Sequence, residues 1–205
     1  MESLHRYTCH VIESKRSSTC NFLFEEIHML SPGATAPAFK LADADMELVQ
    51  SSKFRGKRNL VLYFYDKDNL PGSTVEAIEF SDLNEDFRRC NCEVLGISPD
   101  DWMSHAEFRD KHGLSVRLLA DPECEVCRSY DVVKAFAGNG SAANGSTGNG
   151  NGNGSSQIVV CKRPHVLRST FVIDRGGVVR HALYGVVTAK GHAQEVLKLV
   201  KSTLH

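Results

Sequence analysis

The sequence NLVLYFY at residues 59–65 is followed by the loop DKDNLPG at residues 66–72 and by a helical pattern at residues 73–89. The apolar run is bounded by turn residues, which is typical of a strand covered on both faces. The helical pattern repeats apolar side chains at spacings of three and four, which predicts one buried face. These side chains are Ala77, Phe80, Leu83 and Phe87. The stretch therefore predicts a buried strand, a loop and a helix of an α/β protein.

Strand and helix patterns alternate along the rest of the chain. We predict strands at residues 93–97, 117–120, 170–173 and 178–183, a small hairpin from residues 38–41 and 47–49, and helices at residues 101–112, 121–130 and 189–203. The turn sequence DRGG at residues 174–177 suits an antiparallel hairpin between the last two strands. Alternating strands and helices of these lengths predict βαβ units and a largely parallel central sheet.

One domain from residue 29 to residue 205 accounts for these elements. Residues 1–28 contain glutamates and lack an apolar signal core, so we predict a loose N-terminal extension. Residues 137–157 are almost wholly Gly, Asn, Ser, Ala and Thr, which have little to bury, so we predict a disordered insert. The flanking residues 132–136 and 158–161 could pair as a hairpin that carries this insert at its tip.

Charge and composition argue against several classes of partner. The formal net charge is -1, and no segment gathers the lysine and arginine that phosphate neutralisation requires. The longest apolar run is far shorter than the roughly 20 residues that span a bilayer. The seven scattered cysteines do not read as a secreted disulfide framework. We therefore expect a soluble cytoplasmic protein with free thiols and no cofactor, whose partners are neither nucleic acids nor membranes.

A series of motifs occurs in order between residues 30 and 203. They are APAFKL at 36–41, FRGK at 54–57, YFY at 63–65, PG at 71–72, EA at 76–77, LGISPD at 95–100, KHGL at 111–114, LLADP at 118–122, RSTFVID at 168–174 and GH at 191–192, together with His105 and Phe108. This series closely resembles the peroxiredoxin Q, or bacterioferritin comigratory protein, group of peroxiredoxins. The resemblance implies a thioredoxin-like α/β fold with a central mixed sheet flanked by helices. It also implies a thiol peroxidase that reduces hydrogen peroxide and organic hydroperoxides and is recycled by thioredoxin.

The catalytic motif of that family is altered in this chain. The family pattern is Pro, three residues, Thr, two residues and the peroxide-attacking Cys, and the matching positions are Asp66, Leu70 and Ser73. The optional resolving cysteine five residues further on is Ile78. Arg168 does match the residue that the family places beside the reactive sulfur.

These changes remove the means of peroxide reduction from residue 73. In the family a thiolate attacks the O–O bond and becomes a sulfenic acid. The cysteine lies near a helix N-terminus beside an arginine, and both lower the pKa of its thiol. A serine hydroxyl is essentially never ionised in such a field and has no sulfenic state. Leu70 cannot form a hydrogen bond to a peroxide, and Asp66 adds a negative charge. We therefore expect a degenerate or inactive peroxidase.

Ser73 and Arg168 each have a structural interpretation beside a functional one. Residues 73–76 fit a capping box, in which the Ser73 hydroxyl and the Glu76 carboxylate satisfy N–H groups of the first helical turn. Arg168 and such N–H groups could form an anion site. Alternatively, the carboxylate of Glu76 or Asp66 pairs with the guanidinium of Arg168.

Cys124 and Cys127 form a Cys-x-x-Cys pair. We place both thiols in the first turns of a short helix, where the helix dipole favours thiolates, at the same sheet edge as Ser73. A redox pair relocated to this helix is one interpretation, and two incidental cysteines are the other. We do not expect a zinc site shared with Cys90 and Cys92, because those residues lie at the opposite sheet edge.

Three functional hypotheses follow. Peroxidase or disulfide reductase activity coupled to thioredoxin survives if Cys124 and Cys127 carry it. Alternatively, the chain is a pseudoenzyme, a monomer or weak dimer that binds a protein or a small anion at a remodelled pocket. This pocket is formed by Asp66, Leu70, Ser73 and Arg168. A different reaction in that pocket, catalysed by Ser73 or Asp66, is the third. The altered motif favours the binding pseudoenzyme.

Overall fold

The computed structural model describes residues 29–134 and 164–204 of the chain. The predicted extension at residues 1–28 and the predicted insert at residues 137–157 lie outside the described residues. The elements are β1 (Lys40–Asp43), β2 (Leu48–Gln50), β3 (Asn59–Phe64), α1 (Pro71–Asp82), α2 (Asn84–Arg89), β4 (Cys92–Ser98), α3 (Trp102–His112), β5 (Arg117–Ala120), α4 (Glu125–Ser129), β6 (Val133–Lys134), β7 (His165–Val166), β8 (Ser169–Ile173), β9 (Val179–Tyr184) and α5 (His192–Thr203). None of the described helices is long and apolar enough to cross a membrane.

Seven strands form one mixed sheet in the order β2-β1-β5-β4-β3-β8-β9. The strands β3, β4 and β5 run parallel, whereas β1 pairs antiparallel with β5 and β8 pairs antiparallel with β3. The prediction of a mixed sheet flanked by helices is confirmed, but the prediction that the sheet is largely parallel is wrong. β8 begins beside the end of β3, where Ser169 pairs with Phe64.

The central strand β3 is buried along its whole length. Its alternate side chains enter two core clusters on opposite faces of the sheet, with Leu62 in one cluster and Tyr63 in the other. Helices α1, α3 and α5 contribute to the cluster of Tyr63, with Ala77, Phe80, Phe108, Val196 and Val200 among its members. The residues around α4 contribute to the cluster of Leu62. Burial on both faces explains why β3 reads as a continuous apolar run.

The helix predicted at residues 73–89 is in fact two helices, and the first begins earlier than predicted. α1 starts at Pro71, whose fixed φ suits the first helical position. Leu70 is the N-cap, and no side chain caps this helix. The capping box is therefore wrong, because Ser73 is the third residue of α1 and not its N-cap. The chain turns at Leu83 before it enters α2.

The hairpin expected next to the insert also has a different second strand. β6 pairs antiparallel with β7, so that Val133 lies opposite Val166. The predicted partner, residues 158–161, lies outside the described residues. β6 and β7 form a separate two-stranded sheet just before Arg168 and β8.

Gly96 of β4 permits close packing of aromatic rings against the sheet. A Cβ atom on this residue would lie 2.5 Å from Cζ of Tyr63 and 2.9 Å from Cδ2 of Leu118. Tyr63 itself stacks on Phe80 of α1, with ring centroids 4.6 Å apart. The absent side chain at residue 96 therefore sets the distance between the sheet and the helix that carries the predicted site.

We predict that Gly96→Ala lowers the free energy of unfolding by about 1–3 kcal/mol, because the added methyl group overpacks the core. Urea denaturation followed by circular dichroism measures this change. Gly176→Ala is the control in an exposed turn, where the added Cβ would lie 3.1 Å from Oδ1 of Asp174, and we expect it to cost less than about 1 kcal/mol. Equal effects of the two substitutions would contradict the prediction.

Candidate functional site

The predicted site lies at the edge of the sheet where β3 ends. The chain leaves β3 at Phe64, forms a loop and enters α1 at Pro71. The segment before β8 brings Arg168 to the same place. Its guanidinium lies against Gly72, where a Cβ atom would collide with it. The site therefore combines the first turn of α1 with one arginine side chain.

Ser73 is buried in the first turn of α1, with 1% of its surface exposed. Within the described part of the chain, Oγ has no hydrogen-bond partner. A buried hydroxyl left unsatisfied costs about 1–3 kcal/mol. A nucleophilic serine needs a base that accepts its proton, and none of the described residues contacts Oγ in that way. The hydroxyl is enclosed and unpaired, and this geometry does not provide an activated nucleophile.

Arg168 faces Glu76, one of the two partners considered for it above. Nε of Arg168 lies 3.1 Å from Oε2 of Glu76, but the N–H is not directed at this oxygen. The two groups are therefore in close contact without a hydrogen bond. Glu76 is fully buried, whereas 22% of the Arg168 side chain is exposed. The Arg168 side chain consequently contacts the buried carboxyl group, while part of its surface faces solvent.

Burial controls the protonation of Glu76. Neither carboxylate oxygen forms a hydrogen bond with the described residues, and Nε2 of His192 lies 3.8 Å from Oε1. Desolvation raises the pKa of Glu76 to about 8, and the charge of Arg168 offsets only part of this effect. Burial also lowers the pKa of His192, whose Nε2 lies 2.8 Å from Oγ1 of Thr170. At neutral pH the carboxyl group is therefore largely protonated.

Asp66 contacts the strand β7 and not the arginine. Its Oδ1 atom accepts a hydrogen bond from the backbone N–H of Val166 (2.9 Å) and lies 2.8 Å from Nδ1 of His165. The carboxylate thus connects the loop after β3 to the small two-stranded sheet. Its negative charge is balanced when His165 is protonated.

Leu70 and Ile78 surround the site without adding a polar group. Leu70 is the N-cap of α1 and is 40% exposed, so it lies on the rim. Ile78 is 36% exposed on the outer face of α1, and Val75 is exposed to a similar degree. The rim of the site is consequently apolar on the side formed by this helix.

Cys124 and Cys127 lie on the other face of the sheet from α1. Both thiols are fully buried in the core cluster of Leu62. Cys124 is the N-cap of α4 with φ +53°, and Cys127 is inside the helix. Burial, and next the charge of Asp121, raise the pKa of Cys127 far above its usual range. The expectation that the helix dipole favours a thiolate there is wrong, because desolvation outweighs the dipole.

The other two described cysteines do not complete a metal site with this pair. Cys90 caps the end of α2 and Cys92 begins β4, at the edge of the sheet opposite α4. Across residues 29–134 and 164–204, no group of three or more His, Cys, Asp or Glu side chains is arranged to hold a metal ion.

A buried network that sequence reasoning missed holds the loop after β3. Asp68 accepts hydrogen bonds from the hydroxyls of Tyr65 and Ser104, both 2.8 Å long, and its Oδ2 lies 2.9 Å from Nδ1 of His105. The backbone N–H of Asp68 donates to Asp100 (2.7 Å). These contacts attach the loop to α3 and so position the start of α1. The sequence gives little indication of this network, because the residues that bind Asp68 lie 3 to 37 residues away from it in the chain.

Comparison with known proteins identifies the family. The AhpC/TSA family matches residues 32–182. A putative peroxiredoxin bcp of Helicobacter pylori is 36% identical over 169 residues, which cover 82% of this chain and 97% of that protein. The chain belongs to the peroxiredoxin family. Chloroplastic peroxiredoxin Q of Suaeda salsa is 33% identical over 207 residues, which cover 98% of this chain and 85% of that protein.

Solved structures support the same group of peroxiredoxins. Peroxiredoxin Q of Xanthomonas campestris matches with a TM-score of 0.67 and 28% identity, covering 87% of this chain and 98% of that chain. A cysteine-to-serine mutant of Xylella fastidiosa PrxQ matches with a TM-score of 0.69 and 29% identity, covering 86% and 98%. The predicted peroxiredoxin Q group and thioredoxin-like fold are confirmed.

We predict that Asp68→Ala destabilises this peroxiredoxin by about 3–5 kcal/mol, because it leaves His105 and two hydroxyls buried without their partner. Asp101→Ala is the matched control. Asp101 is an exposed N-cap that accepts a hydrogen bond from Ser104, and its loss should cost about 1 kcal/mol. Urea denaturation at pH 7 compares the two variants. A loss at Asp68 no larger than that at Asp101 would refute the role of the network.

We also predict that Glu76 makes this peroxiredoxin less stable as the pH rises. Its pKa is about 8 in the folded protein against an ordinary value of 4.5. The folded state therefore holds an extra proton between these values. The resulting stabilisation, on the order of a few kcal/mol, is complete below pH 4.5 and is lost as the pH rises through 8.

Urea denaturation at pH 5 and pH 9 tests this dependence. Glu76→Gln should remove most of the stability difference between the two pH values. Glu79→Gln, the same change on the same helix, should leave most of it. An unchanged pH dependence in Glu76→Gln would show that another group is responsible.

Proposed function

We propose that this peroxiredoxin performs no peroxidase chemistry at residue 73 and acts as a binding protein through the pocket around Ser73 and Arg168. The observation that carries the proposal is a buried serine hydroxyl without a partner among the described residues, in the first turn of α1 next to Arg168. A serine hydroxyl cannot replace a thiolate in attacking an O–O bond. It can donate a hydrogen bond to a bound ligand.

The chemistry of the pocket favours a small anion as the ligand. Arg168 is always charged and partly exposed. The first N–H groups of α1 have no intrahelical acceptor and carry the positive end of the helix dipole. Glu76 is largely protonated at neutral pH and therefore cancels little of the arginine charge. Asp66, which would repel an anion, is bound to β7.

A second candidate function is a thiol peroxidase or disulfide reductase that uses Cys124 and Cys127 and accepts electrons from thioredoxin. The two thiols are close enough to form a hydrogen bond. Their complete burial and the raised pKa of Cys127 weigh against this candidate, because the thiolate is the reactive form.

The proposal includes a cytoplasmic location and a monomeric or weakly dimeric state, as expected from the sequence. The described cysteines, Cys90, Cys92, Cys124 and Cys127, are free thiols, which agrees with a reducing compartment such as the cytoplasm. We propose a monomer or weak dimer there. A partner that meets the pocket would contact the apolar rim at Leu70 and Val75.

A peroxidase assay coupled to thioredoxin and its reductase distinguishes the candidates. We predict no turnover of hydrogen peroxide by the wild type or by Cys124→Ser/Cys127→Ser. Turnover in the wild type that disappears in the double variant would instead establish a relocated redox pair. Turnover that persists in the double variant would refute both candidates.

Ser73→Cys tests how much of the family's machinery remains. We predict weak turnover in this variant, because Leu70 supplies no hydroxyl to the peroxide and Asp66 remains negatively charged. Strong turnover would show that the thiol alone is missing. Circular dichroism confirms in each case that the variant is folded.

A further inference from the structure

We propose that Glu76 competes with the ligand for Arg168, so that binding of a small carboxylate to this pocket takes up a proton. The inference rests on the proposed function, because it concerns the same anion site. It adds the class of ligand and a dependence on pH. Its basis is the arrangement of one arginine between a buried carboxyl group and solvent.

The contact between Arg168 and Glu76 stabilises the carboxylate incompletely. The two side chains approach to 3.1 Å, but no hydrogen bond forms, and neither oxygen of Glu76 accepts one from another described group. A buried carboxylate without donors is costly. The ionised form of Glu76 therefore depends chiefly on the charge of Arg168, and any anion that occupies this guanidinium weakens that support.

The other groups around Glu76 do not replace the arginine. Glu79 on the same helix is a carboxylate that opposes ionisation of Glu76. His192 on α5 lies 3.8 Å away, but burial lowers its pKa, so it is largely neutral at neutral pH. The hydroxyl of Tyr63 on β3 is buried, and burial raises the pKa of this phenol well above its ordinary value. Arg168 is thus the permanent cation among the groups that face Glu76.

The two faces of Arg168 make the competition possible. Glu76 is fully buried and contacts the guanidinium from inside, while about a fifth of the arginine side chain is exposed. We infer that a ligand approaches the guanidinium through this exposed part of the side chain and leaves Glu76 in place. Two negative charges would then share one positive charge, which is unfavourable in a partly buried site. Protonation of Glu76 removes this repulsion.

The surroundings of the guanidinium select a carboxylate with a short apolar tail. The unpaired hydroxyl of Ser73 can donate one hydrogen bond, and Arg168 can donate two to a planar carboxylate. The exposed side chains of Leu70 and Val75 form an apolar rim at the start of α1. Butyrate combines both features and stays ionised above pH 6.

The sign of the pH dependence follows from the protonation of Glu76. Below pH 8 this group is mainly protonated, and the ligand binds the full charge of Arg168. Above pH 8 binding requires a proton to be taken up, so the affinity falls by up to about tenfold per pH unit. Between pH 6.5 and pH 9.5 we expect the dissociation constant of butyrate to rise about tenfold or more.

Isothermal titration calorimetry with butyrate at pH 6.5 and pH 9.5 tests the inference. Glu76→Gln should bind with the same affinity at both pH values, because no carboxyl group titrates. Glu79→Gln, the matched control, should keep a pH dependence of the same sign, with its midpoint at a lower pH because the Glu79 carboxylate no longer opposes ionisation of Glu76. Arg168→Gln should abolish binding at both pH values. Titration of the wild type at pH 8.5 in two buffers of different ionisation enthalpy should show net proton uptake, which needs no variant.

The possible results distinguish a failure of the competition by Glu76 from a failure of the anion site. Binding with equal affinity at both pH values, or without proton uptake at pH 8.5, overturns the competition by Glu76 and leaves the anion site intact. A pH dependence that persists in Glu76→Gln has the same meaning. Absence of butyrate binding to the wild type at both pH values overturns the anion site itself, and the further inference with it.

Discussion

Burial of β3 on both faces is the constraint on which the rest of this structure depends. Every residue of the strand is buried, and its alternate side chains divide the core into two clusters. A strand of this kind must lie in the middle of the sheet, with helices or loops on each side. The loop after it therefore emerges at a defined edge, where Asp68 is held by Tyr65 and by α3. The position of α1, and of Ser73 in its first turn, follows from this anchoring.

Much of the fold follows from local patterns, since hydrophobic periodicity and turn residues report on strands and helices directly. The strand at residues 117–120 matches β5 residue for residue, and α3 ends at Gly113 in the left-handed conformation that favours glycine. The direction of β8 was not apparent, because β8 pairs with β3, a strand that lies far from it in the chain. The start of α1 was misplaced because Pro71 at the first helical position outweighs the capping preference of Ser73.

The candidate site was less predictable than the fold, because its geometry depends on contacts between distant segments. The motif identified Ser73 and Arg168 as residues to examine, but not the burial of Glu76 between them and α5. The network of Asp68 and His105 joins a loop to a helix 37 residues away, and neither residue stands out by spacing. The helix dipole pointed to a thiolate near Cys127, whereas desolvation in the core dominates there. Burial, which sequence patterns report only coarsely, determines the protonation of each of these groups.

We propose that Ser73 stands at the position of the family's peroxidatic cysteine, and such an exchange of a thiol for a hydroxyl changes the charge balance of the pocket as well as its reactivity. A peroxidatic thiolate would supply an internal anion beside Arg168, whereas the Ser73 hydroxyl is neutral. With Glu76 largely protonated at neutral pH, the guanidinium then lacks a full negative partner in the pocket. A partly buried cation of this kind attracts an anion from solvent. On the function proposed here, the substitution that prevents attack on a peroxide also favours the binding of an external carboxylate, and Glu76 adjusts that binding because its own ionisation satisfies the arginine from within.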